Sequence, residues 1–384
     1  MGNDGESMAE SSADRLEGTR LVLTVIHVAY PLAPVSLDTT GGAEQVMALL
    51  DRALTARGHR SIAIAAEGSQ VAGHLLPVRV EKPFDEDSCR RAQVAFREAI
   101  RNALRIWEAD LVHMHGVDFH EYLPPAGVPV LATLHLPVSF YPASVFCLDR
   151  PETYLNCVSN AQRKICPPSD NLVAAIENGI PLDLYPERRR TAENYVLALG
   201  RICPEKGAHL ALDAAEQAGV PLWVAGAVFP YPAHEQYFRE VLAPRLKAPH
   251  RYLGPVGCGR KIELLSRARC VLISSLVPET SSLVAMEAMA CGTPVLSFPS
   301  GALASMIAPG RTGFLAENVS EMAVAIRRAP EIDERACRHE ALTRFSADRM
   351  ADQYIDLYNA LAAHAVRPGK CAGSAADATN AFNS

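Results

Sequence analysis

The stretch Pro278–Val295, PETSSLVAMEAMACGTPV, sets Glu279 just ahead of an apolar run and Glu287 in its middle, with seven residues between them. Helical spacing stacks Glu287 on Leu283 and Val284 one turn earlier, and on Ala290 and Cys291 about one turn later. A helix that is apolar nearly all round is a buried one, and an unpaired carboxylate inside it is costly. Glu287 therefore needs a partner. That partner is either a structural arginine or a ligand diol such as a ribose, whose two hydroxyls face two carboxylate oxygens. At the front of the run, Thr280 or Ser281 is a natural N-cap, and small side chains up to Ser282 leave the N–H groups of the first turn open. Such a helix start is a phosphate or sugar site. Glu279, just before it, either complements the helix dipole or takes sugar hydroxyls.

Around this stretch the chain alternates strands and helices. Apolar runs at Leu21–Ala29, Ser61–Ala66, Asp110–His115, Val128–Leu134 and Tyr154–Ser159 read as strands, with a helical pattern over Ala43–Arg57 that stops at Gly58. The pattern restarts at strand Tyr195–Leu199. After it come helix Ala208–Ala218, strand Leu222–Ala225, helix His234–Leu246 and strand His250–Leu253. Helix Arg260–Ala268, strand Cys270–Ser275, helix Ser281–Ala290 and strand Pro294–Phe298 complete the series. Repeated βα units mean α/β architecture with parallel, doubly wound sheets. The charged, turn-rich YPERRRTAEN (185–194) separates the halves, giving an N-terminal domain over 20–190 and a C-terminal domain over 191–347. A final helix over 348–366 carries Met350, Tyr354, Leu357, Tyr358 and Leu361 on one face and could pack on either domain. Residues 1–19 and 367–384 are expected to be disordered tails.

The chain has 384 residues, enough for two cores, and a net charge of −6, so no global positive field draws in nucleic acid or acidic membrane. No apolar run reaches the roughly 18 residues of a membrane span. The ten cysteines lack any Cys-x-x-Cys pair and read as reduced thiols of a cytoplasmic protein.

Ligands of open α/β sheets bind beyond the C-terminal strand ends, so the loops there carry the search. After the first strand of the second half, GRICPEKG places Arg201 and Lys206 between Gly200 and Gly207, two cations suited to a diphosphate. After the first strand of the chain, Gly41 and Gly42 let backbone approach a phosphate ahead of a helix start. GCGR (257–260) is only a fragment of a dinucleotide fingerprint, and no G-x-x-x-x-G-K-[ST] loop is present. His113, His115 and His120 read as packed or hydrogen-bonded, with no metal site. His135 ends an apolar strand at the presumed cleft. The acidic FDEDS (84–88) reads as a solvated loop.

In this order the motifs GGAE (41–44), TLH (133–135), ENGI (177–180), GRICPEKG and PETSSLVAMEAMACGTPV make the chain resemble the retaining glycosyltransferases of family 4, with their E-x7-E signature. The resemblance covers about residues 20–365. It implies a GT-B fold, two Rossmann-like domains facing an interdomain cleft, with the final helix crossing back to domain one. It implies transfer of a sugar from a nucleotide-diphosphate donor to a small-molecule or saccharide acceptor hydroxyl, with anomeric retention and neither metal nor cofactor. Glu287 would bind the ribose, and Glu279 the donor sugar. Ser281, Ser282, Leu283 and Val284 would offer backbone N–H groups, and Arg201 and Lys206 would hold the diphosphate. Gly41 and Gly42 would approach it, and His135 would sit at the reacting face. An epimerase or phosphorylase on the same scaffold, and a silent nucleotide-sugar-binding protein, are the alternatives.

Overall fold

The computed structural model describes residues 22–39, 41–80, 86–187 and 192–365. Both expected tails lie outside them, as do residues 188–191 of the expected linker. The first lobe begins with β1 (Thr24–Val28), α1 (Gly42–Ala56), β2 (Arg60–Ala66), β3 (His74–Val78) and α2 (Glu86–Ile106). β4 (Leu111–Met114), β5 (Val130–Leu134), β6 (Thr153–Cys157), α3 (Asn160–Ile165) and β7 (Leu172–Ala175) follow. Its seven strands are all parallel, in the order β3-β2-β1-β4-β5-β6-β7. In the second lobe, β8 (Val196–Leu199), α4 (Ala208–Ala218), β9 (Leu222–Ala225), α5 (Pro232–Tyr237) and β10 (Arg251–Tyr252) lead to α6 (Cys258–Arg267) and β11 (Cys270–Ile273). Then come α7 (Leu283–Ala290), β12 (Val295–Ser297), α8 (Leu303–Met306), β13 (Gly313–Leu315), α9 (Val319–Arg328) and α10 (Glu334–Arg344). Its six strands are again parallel, in the order β10-β9-β8-β11-β12-β13. This is the GT-B α/β fold.

Buried parallel strands need apolar residues on both faces, which is why β1, β4, β5 and β11 read as continuous runs buried at every position. Polar residues interrupt the first sheet along one seam. His27 pairs in register with His113, and Thr133 with Asn156. The last helix, α11 (Ala347–Ala365), covers that seam: Tyr354 and Tyr358 bring hydroxyls, and Met350, Leu357 and Leu361 pack with Leu23, Val25 and Leu111 beside α1. The chain reaches α11 through the ENGI segment, where Ile180 and residues 345–347 exchange backbone hydrogen bonds and Glu177 holds Arg344 at 2.7 Å.

Three expectations change. The acidic 86–88 segment is the first turn of α2 and not a loop, because Glu86 and Asp87 complement the helix dipole ahead of Ala92, Phe96, Ile100 and Ala103, all buried at helical spacing. Phe84 and Asp85 lie outside the described residues. The helix expected over 234–246 is α for only Pro232–Tyr237; a wide turn and a tight turn containing Pro244 follow, since that proline lacks the N–H an α-helix needs. The N-cap of α7 is Ser282, whose hydroxyl accepts from Ala285 N, and not Thr280 or Ser281. No helix among the described residues is long and apolar enough to cross a membrane.

Candidate active site

Strand order decides where a ligand can enter. Each sheet reverses direction of winding once, between β1 and β4 in the first lobe and between β8 and β11 in the second. At such switch points the loops diverge and leave a crevice. The glycine pair follows β1, the Arg201–Lys206 loop follows β8, and Glu279 with the start of α7 follows β11. The two crevices face each other. A methyl group added at Gly42 would stand 3.6 Å from Leu283 Cδ1, so the N-terminus of α1 meets that of α7. Thr280 Oγ1 donates to the His135 carbonyl at 2.8 Å, and the Cys258 N–H donates to Asp38 Oδ1 at 2.8 Å.

Glu287 is nearly inaccessible, its side chain 3% exposed. Lys261 Nζ lies 2.5 Å from Oε1, and Tyr185 OH donates to the same oxygen at 2.7 Å. The structural arginine considered from the sequence is thus a lysine. Burial and the Glu287 charge push the Tyr185 phenol far above its ordinary range, so it stays a donor. Among the described residues Oε2 takes no hydrogen bond. A gap of about 70 Å³, bordered by Asp38, Gln45, Tyr185, Lys261, Leu283 and Glu287, separates the lobes there.

Glu279 is held equally firmly. Lys206 Nζ stands 2.5 Å from its Oε1, and Ser275 Oγ donates to that oxygen. Its main chain bridges Gly301, whose φ of 60° and close approach to the Glu279 carbonyl leave no room for a side chain. Gly207 serves Lys206 in the same way: its φ is 60°, and a Cβ would collide with the Ser274 carbonyl. Arg201 forms no ion pair among the described residues, and its guanidinium lies 5.9 Å from the Phe229 ring. At the start of α1, the Glu44 carboxylate folds back over Gly41 and occupies the positive end of the helix. Burial raises its pKa, while its own N–H and Arg201 pull the other way.

His135 follows β5, half-buried beside Thr280. Its Nε2 lies 3.1 Å from His115 Nδ1. Burial lowers its pKa to about 3, so it is neutral at ordinary pH. Among the described residues two groups have the spacing to hold a metal ion: His27, His113 and His115 inside the first sheet, and Cys203, Glu205 and His234 beside the Lys206 loop. Both nitrogens of His113 are engaged, by Tyr358 OH and Thr133 Oγ1 at 2.7 Å each, so the first group is a hydrogen-bonded network. Sequence reasoning missed Tyr185, Lys261, Ser275 and Asp38. Only Tyr185, an aromatic in the charged linker segment, carried any signal.

Residues 185–339 match the family Glycosyl transferases group 1, and residues 40–182 match Glycosyltransferase Family 4. The chain belongs to the GT-B glycosyltransferases of the family 4 type. It is 26% identical to a phosphatidyl-myo-inositol mannosyltransferase of Mycobacterium leprae, over 86% of this chain and 96% of the relative. It is 24% identical to a glycogen synthase of Mycobacterium tuberculosis, over 88% and 94%. The structure of Anabaena Alr3699/HepE in complex with UDP-glucose superposes with a TM-score of 0.67 at 18% identity, over 88% of this chain and 99% of that one.

Proposed function

We propose that this enzyme moves a hexose from a nucleotide-diphosphate sugar to an acceptor hydroxyl, with retention at the anomeric carbon and without a metal ion. The observation that carries the reading is the meeting of two helix N-termini, at Gly42 and Leu283, with Lys206 held in place at the same switch points and Arg201 in no ion pair among the described residues. A departing diphosphate gains negative charge, and preorganised N–H groups and cations stabilise it most in the transition state. The donor complex of the Anabaena protein supports a nucleotide sugar as the ligand.

Glu287 Oε2 receives a ribose hydroxyl while Lys261 and Tyr185 hold Oε1, so one carboxylate is oriented by one oxygen and binds by the other. Glu279, fixed through Lys206 and Ser275, meets the donor sugar. Gly41 and the N–H groups from Ser281 and Ser282 to Val284 line the path of the diphosphate, and bound phosphate displaces the Glu44 carboxylate from the start of α1. His135 faces the sugar. Retention follows if the leaving phosphate accepts the acceptor's proton on the face it departs from, which asks no side chain to act as base. The reading places the activity in the cytoplasm.

A panel of nucleotide sugars, UDP-glucose first, tests this by thermal stabilisation and donor hydrolysis. The reading requires that one of them turns over, and does so fully in EDTA. A need for added divalent metal would overturn metal independence and direct attention to Cys203, Glu205 and His234. Binding without turnover of any donor would leave a nucleotide-sugar-binding protein.

A further inference from the structure

We propose that His115 and His27 form a buried relay that fixes which nitrogen of His135 carries its proton, making both of them positioning residues for the group at the cleft. The rings connect in series: His135 Nε2 to His115 Nδ1 at 3.1 Å, then His115 Nε2 to His27 Nδ1 at 3.2 Å. The rings of His115 and His135 stack at 22°, and His27 and His115 are buried. The chain ends at His27 Nε2, a buried nitrogen with no partner among the described residues.

Series connection constrains the tautomers. A neutral imidazole has one N–H and one lone pair. If His115 donates from Nδ1, His135 must keep its proton on Nδ1, and His115 Nε2 must accept from His27 Nδ1. If His115 donates from Nε2, all three protons move to the ε nitrogens. The three rings therefore share one tautomer, and only two arrangements exist. The environment of His27, at the closed end, selects between them, and the choice appears at His135 as either a donor or an acceptor facing the cleft. Burial keeps the network neutral: it lowers His27 to about 4, against a smaller opposing pull from Asp51, and His115 well below its ordinary value. His113, whose ring centroid is 4.0 Å from that of His115, stands outside the series because its nitrogens meet hydroxyls that can donate or accept. The relay also accounts for the convergence of His27, His113 and His115 inside the first sheet.

The consequence for catalysis rests on the reading that His135 meets the donor sugar; the relay itself does not. Nitrogen-15 correlation spectra of histidine-labelled full-length protein report the tautomer of each ring. The expected result is one shared tautomer for His27, His115 and His135. In His27→Phe and His115→Phe, His135 should become a tautomer mixture, while His113→Phe, which costs stability at an equally buried site, should leave it single. Unlike tautomers in neighbouring rings, or a His135 signal unmoved by both relay substitutions, would overturn the proposal, as would stoichiometric metal in the purified protein. With the nucleotide sugar returned by the donor panel, His115→Phe should lower kcat about tenfold, the size of one lost hydrogen bond, with KM little changed. An unmoved kcat alongside the spectral change would refute the role of His135 and leave the relay standing.

Discussion

Two contacts on one oxygen of Glu287 give that residue a divided role. Lys261 and Tyr185 stabilise the buried charge through one oxygen, and the residue borders the gap between the lobes. Glu287→Ala should weaken nucleotide binding by roughly 1.5–3 kcal/mol, the value of one charge-assisted hydrogen bond, as read by titration calorimetry. It should also destabilise the fold, because it strands the Lys261 ammonium at 15% exposure. A double variant, Glu287→Leu with Lys261→Met, separates the two effects: it should recover stability and still fail to bind. Recovery of binding would remove Glu287 from the site. The sequence showed that this carboxylate needed a partner, because its neighbours at one helical turn are all apolar. It did not show which partner, because Lys261 arrives from α6 and Tyr185 from the interlobe crossing, and such long-range pairing leaves no local pattern.

Among the elements, α1 and α7 carry the most specific expectation. Gly42 is the first residue of α1, and an added methyl would meet only Leu283 Cδ1 at van der Waals distance. Gly42→Ala should therefore fold normally and gain slightly in helix propensity. The same methyl stands where the diphosphate is proposed to lie, so turnover should fall by about 10²-fold, the scale seen when a preorganised anion donor is lost. An unchanged rate with an unchanged melting temperature would move the diphosphate elsewhere. Ser282→Ala is the counterpart at α7, expected to cost about 1 kcal/mol as a lost N-cap. The cap itself was misplaced by one or two residues from sequence: Thr280, Ser281 and Ser282 all offer cap chemistry, and Thr280 instead reaches the His135 carbonyl across the cleft. Strand runs such as those of β1, β5 and β11 were legible because both faces are buried. α2 was not, since its polar start resembles a loop until the spacing of Phe96 and Ile100 is weighed.

At the scale of the molecule, the buried histidines tie stability to acidity. His27 and His135 hold folded-state values of about 4 and 3, and His113 and His115 also lie well below the ordinary 6.5 because of burial. The unfolded chain takes up protons near pH 6.5 and the folded chain resists until far lower, so the unfolded state binds more protons in that window. Stability should be level above about pH 7 and fall on the order of a few kcal/mol as pH drops towards 4. Urea unfolding midpoints across that range check this, and His27→Phe should flatten the slope. A profile flat to pH 4 would mean that these rings are protonated or exposed in solution.

The packing of α11 has a further consequence for how the enzyme is made. Tyr354 and Tyr358 supply the hydroxyls that meet Asn156 and His113, yet they are translated after the whole of the second lobe. While the chain is still on the ribosome, the first sheet has its strands but lacks the helix that seals its polar seam. Domains generally fold in order of synthesis, but here the earlier one stays unfinished until the segment after the second lobe has been made. The nascent first lobe should therefore be sensitive to protease and dependent on chaperones until residues 347–365 emerge, and stalled chains ending before them should remain so.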